Sequence, residues 1–114
     1  MFGFGPDVPE VDAQQVFSDI EAKRKMVIVD VRTSPEYSRG YIRGGINIPL
    51  AELPVGIMSE VKDKDATIIV YCLSGSRSAQ AADILLKMGY KNVFSMTSGL
   101  LAWRAKGYSL KMPD

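Results

Sequence analysis

The chain has 114 residues, the size of one domain, and a second unit would be too small to hold its own core. Its 14 Lys and Arg stand against 13 Asp and Glu, and the resulting charge of +1 argues against nucleic acid or an anionic membrane as the main partner. There is no histidine and only one cysteine, Cys72, which excludes Ser-His-Asp and Cys-His catalysis, a histidine pH switch, an internal disulfide and a cysteine cluster around a metal.

Residues 1–7 are glycine-rich and read as a loose lead-in. Val8 to Val11 reads as a short edge strand in which Pro9 is tolerated. Asp12 then caps a helix that buries Val16, Phe17 and Ile20 on one face, and Lys23, Arg24 and Lys25 end it with bases. Met26 to Val29 is an apolar β-branched run, expected as a strand buried on both faces. Ser34-Pro35-Glu36 predicts a short helix with Ser34 as cap, stopped by Gly40. Gly44 to Pro49 gives another extended piece. Leu50 to Val61 suggests one or two short helices interrupted by Pro54 and Gly56.

Ala66 to Tyr71 is the strongest strand, and the Cys72–Ser78 loop follows at once. A helix over Ala79 to Met88, its head near Arg77, carries Ala82, Leu85 and Leu86 on one side and closes at Gly89. Asn92 to Met96 is the last strand, and Ser98-Gly99 opens a helix through Leu100, Leu101 and Trp103 to Gly107. Alternating strands and helices predict a parallel sheet covered on both faces, with the site at the C-terminal strand ends.

Cys72 falls at that end of the central strand. The residues after it are small, so the backbone can curl and turn several N–H groups inward, and the next helix points its positive end into the same bowl. Amide donors and a nearby arginine activate a thiol without a histidine. A structural strand-end cysteine is the plain alternative. Gly75, two flanking serines and Arg77 tip the balance towards an anion-binding nucleophile.

The sequence resembles the rhodanese family of sulfurtransferases over roughly Pro9 to Gly107. The resemblance is carried by Asp30-Val31-Arg32 with Glu36-Tyr37, by Gly40 to Pro49, by Tyr71-Cys72-Leu73-Ser74-Gly75-Ser76-Arg77-Ser78, and by Gly99 with Trp103 and Gly107. It implies a three-layer α/β domain over residues 8–110, with 111–114 as a tail. It implies that Cys72 takes a sulfane sulfur from a donor such as thiosulfate, holds it as a persulfide, and passes it to cyanide, a cellular thiol or an acceptor protein. Leu73, Ser74, Gly75, Ser76, Arg77 and Ser78 are then the substrate-binding loop. The two displacements at sulfur need no cofactor and no metal. The four residues between Cys72 and Arg77 make a smaller bowl than the five of tyrosine phosphatases, which suits a single sulfur better than a phosphate.

Two positions depart from the family pattern: Tyr41 stands where many members have histidine, and Ser98-Gly99 where many have a glycine pair. Arg77 is the only cation in the loop, so capture of a dianion is expected to be weak. Asp30, Arg32 and Glu36 read as bracing, with Arg32 pairing to Glu36; Ser78 reads as a helix cap or loop support, Trp103 as core and the six methionines as gap-fillers. A non-catalytic binding or redox-sensing module is the alternative function. The unpaired thiol and the absence of a basic-then-apolar leader predict a cytoplasmic protein. The longest apolar run, around Ile68 to Leu73, falls well short of the ~20 residues of a membrane span.

Overall fold

The computed structural model describes residues 6–114. Most of the expected lead-in, residues 1–5, lies outside them. The order of elements is β1 (Glu10–Val11), α1 (Ala13–Glu21), β2 (Val27–Asp30), α2 (Ser34–Tyr37), β3 (Gly45–Asn47), a 3-10 turn at Leu50–Glu52, α3 (Leu53–Glu60), β4 (Thr67–Tyr71), α4 (Ser76–Lys87), β5 (Asn92–Met96) and α5 (Gly99–Ala105). All strand pairs are parallel, in the order β1-β5-β4-β2-β3. Together they form the expected α/β sandwich.

The two-residue period of a strand divides the core. Along β4 and into the following loop, Ile68, Val70 and Cys72 face a layer containing Leu53, Ile57, Ala81, Ala82 and Leu85, while Ile69 and Tyr71 face Ala13, Val16, Leu100 and Trp103. Helices α3 and α4 therefore cover one face, and α1 and α5 the other. The chain leaves β2 outward for the edge strand β3 and leaves β4 in the opposite direction for β5, so the crevice of this sheet opens between the C-terminal ends of β2 and β4.

The structure corrects four readings. Asp12 does cap α1, accepting from the Gln15 amide at 2.8 Å, but α2 is capped by Thr33. The Thr33 hydroxyl accepts from the Glu36 amide, and the Glu36 carboxylate accepts from the Thr33 amide. This reciprocal pair makes Ser34 the first helical residue. Pro54 and Gly56 lie inside α3 and do not interrupt it. Pro54 sits in the first turn, where its missing N–H costs nothing, and Gly56 lets the helix approach Ile48: a Cβ there would lie 2.7 Å from Ile48 Cγ2. The first strand is shorter than expected. At the far end, Lys111 exchanges both backbone hydrogen bonds with Tyr41, so the chain stays tied to the domain beyond residue 110.

Candidate active site

Cys72 follows β4 directly, and its side chain is fully buried among the residues facing α4. Two amides of its own loop point at Sγ: Gly75 N–H at 3.1 Å and Ser78 N–H at 3.4 Å. The curl depends on Gly75, whose φ of +111° is open to glycine and strained for other residues. Helix α4 begins at Ser76, so its first-turn amides lie beside the same loop; the amides of Ser76 and Arg77, and that of Ser74 just before the cap, donate to no protein group among the described residues. Leu73 is half-buried, and Ser74 and Ser76 are exposed.

Ser78 supports the loop and does not cap the helix; Gly75 holds the cap position. Its hydroxyl lies 3.6 Å from Sγ, 3.1 Å from the Gly75 carbonyl and 2.8 Å from the hydroxyl of Ser95. Ser95 is buried on β5 and completes a hydroxyl pair behind the sulfur. The sequence reading missed it. Its one signal was a polar residue at an inward position between Val93 and Met96.

The strand end is pinned from the other side of the sheet. Leu100 N–H donates to the Cys72 carbonyl at 3.0 Å and Leu101 N–H to the Leu73 carbonyl at 3.1 Å. These bonds bring the first turn of α5 so close that a Cβ on Gly99 would stand 2.3 Å from the Cys72 oxygen. Ser98, just before it, adopts φ +57° with its side chain exposed.

The charged groups pair differently from the expectation. Arg77 donates from Nη1 and Nη2 to the two carboxylate oxygens of Glu36, at 2.7 and 3.0 Å. Those bonds outweigh partial burial and hold the Glu36 carboxyl down to about 2. Arg32 does not reach Glu36; it is buried on Asp30, with Nη2 at 2.7 Å from Oδ2 and also 2.7 Å from the Gly40 carbonyl. Burial works against the Arg32 charge, but the Asp30 carboxylate overrides it and raises the guanidinium further. Burial, reinforced by Asp30, pushes the Tyr71 hydroxyl well above the usual phenol range, and that hydroxyl accepts from the Ile42 amide at 3.0 Å. Tyr41 stacks on Tyr37 at 4.3 Å. Two surface hollows, of about 230 and 660 Å³, are lined by other parts of the chain and do not reach Cys72.

The sequence profile of the rhodanese-like domain matches residues 12–106. The chain belongs to the rhodanese-like family. A curated sulfurtransferase from Allochromatium vinosum is 30% identical over 107 residues, covering 94% of this chain and 98% of its own length. The crystal structure of a thiosulfate sulfurtransferase from Pseudomonas aeruginosa superposes with a TM-score of 0.86 at 30% identity; it covers 94% of this rhodanese-like chain, which spans only 21% of that larger one. A Rhodopseudomonas palustris structure described as a possible tyrosine phosphatase superposes at 0.84 with 26% identity, covering 91% of this chain and 85% of its own. The names of the sulfurtransferase relatives support sulfur transfer in general.

Proposed function

We propose that this rhodanese-like chain is a sulfurtransferase in which Cys72 carries sulfur as a persulfide between a sulfane donor and a thiophilic acceptor. The observation that carries the reading is the pair of loop amides aimed at Sγ from Gly75 and Ser78. In the first step the Cys72 thiolate attacks the outer sulfur of a donor such as thiosulfate; the Sγ–S bond forms as the S–S bond of the donor breaks, and sulfite leaves with the electron pair. An acceptor such as cyanide then attacks the outer sulfur and the thiolate is returned. The outer sulfur extends into the bowl, where the amides of Ser74, Ser76 and Arg77 are available to it. Leu73 and the two serines line the approach.

One observation favours the alternative of a non-catalytic module: the thiol is fully buried, and buried thiols are usually inert. Catalysis therefore requires the Leu73–Arg77 segment to open over Sγ. Incubation with thiosulfate should add one sulfur atom at Cys72, and cyanide should release it as thiocyanate, whereas Cys72→Ser should do neither. Iodoacetamide should alkylate Cys72 in the native protein. Thiocyanate formation by Cys72→Ser, or alkylation only after denaturation, would overturn the proposal. Hydrolysis of an aryl phosphate at Cys72 would move the assignment to phosphatase chemistry.

A further inference from the structure

We infer that Glu36 is a specificity-determining residue that masks the loop's only cation and biases the site towards sulfur donors carrying at most one negative charge. The inference rests on the sulfurtransferase reading and deepens it.

Both ends of the Arg77 guanidinium fork are taken by the two Glu36 oxygens, at 2.7 and 3.0 Å. The pair is only about one-third exposed on the Arg77 side and one-quarter on the Glu36 side. No other residue from Leu73 to Ser78 is basic. The second arginine at this end of the sheet, Arg32, is bound just as fully by Asp30. Two guanidinium groups and two carboxylates leave no net positive charge among these four side chains. Within the Leu73–Ser78 loop, what remains for an incoming anion is neutral backbone N–H groups and the positive end of α4.

Thiosulfate brings two negative charges to a thiolate, and sulfite must leave with both. A singly charged or neutral donor meets far less repulsion, because the energy between charges scales with their product. With a hydropersulfide in its protonated form the step balances simply. The Cys72 thiolate attacks the terminal sulfur of R–S–SH, the Sγ–S bond forms, the S–S bond of the donor breaks, and R–S⁻ leaves with the pair. Charge stays at minus one throughout, and no oxidant is consumed.

Glu36 can be neutralised without unfolding its helix, since glutamine keeps the reciprocal cap with Thr33. The test measures kcat/KM for thiosulfate and for 2-hydroxyethyl hydropersulfide, with cyanide as acceptor. Wild type should favour the hydropersulfide by at least about tenfold. Glu36→Gln should move that ratio about tenfold towards thiosulfate through a lower thiosulfate KM, as expected for an unmasked charge at short range. Adding Arg77→Ala to it should cancel the shift. The wild-type KM for thiosulfate should vary little with ionic strength, a reading that stands even if the variant fails to fold. An equal change for both donors, a shift that survives loss of Arg77, or a steep salt dependence in wild type would overturn the inference. No transfer from either donor by wild type would overturn the sulfurtransferase reading beneath it.

Discussion

Single residues carry opposing demands at this site. Glu36 caps α2 and pairs with Arg77, and its carboxyl is held at about 2 in the folded chain against about 4.5 when free. A carboxyl held low in the fold adds stability that is complete above about pH 4.5 and disappears as pH falls towards about 2. Denaturant midpoints measured across that window should fall for wild type and fall less for Glu36→Gln; parallel curves would contradict the pairing. Ser98 shows the reverse case, a side chain where the backbone prefers none. Its φ of +57° carries a strain of about 1–2 kcal/mol, and the hydroxyl makes no capping bond to offset it. Glycine relieves the strain but gives back about 0.5–1 kcal/mol in chain entropy. Ser98→Gly should thus stabilise the domain by roughly 0.5–1 kcal/mol in urea unfolding, and destabilisation would show that the serine makes a compensating contact.

At the scale of elements, two helices hold the strand end on which the thiol sits. Helix α4 supplies amides to the sulfur, and α5 supplies Leu100 and Leu101 amides to the carbonyls of Cys72 and Leu73. The second contact demands the backbone approach at Gly99. Gly99→Ala must displace the Cys72 carbonyl, which costs roughly 3 kcal/mol or more and disturbs the loop, so both stability and sulfur transfer should drop. Full activity in a stable Gly99→Ala protein would show that the pinning is unimportant. Helices and strands were legible where local chemistry was strong. Asp12 announced α1, the β-branched run announced β4, and Cys72 with Gly75 announced the loop. The cap of α2 was misplaced because Thr33 and Ser34 are chemically equivalent caps, and only the reciprocal bond with Glu36 separates them. Gly56 read as a break because its reason is Ile48, a neighbour in space and not in sequence. Ser95 and the Glu36–Arg77 pair were hidden for the same cause: each is a contact between distant segments.

For the whole molecule, the parallel sheet makes the candidate site a product of its topology. Chain reversal between β2 and β4 opens one crevice, and the thiol, the Glu36–Arg77 pair and the Asp30–Arg32 pair all gather at that end. The alternation along β4 places Cys72 on the α4 face and Tyr71 on the opposite one, so a one-residue slip would exchange a thiol for a phenol. The fold class was legible because its signal is the order of elements, which sequence carries directly. The full burial of the thiol was not, since burial depends on how far the curled backbone settles on the sulfur. No helix is long and apolar enough to cross a membrane among the described residues. The most direct test of the central claim is the backbone amide NMR spectrum before and after loading with one sulfur from a donor, with loading verified by intact mass. The account predicts that the largest shifts fall on the amides of Ser74 to Ser78. A loaded protein whose loop amides stay unmoved while distant ones shift would contradict it.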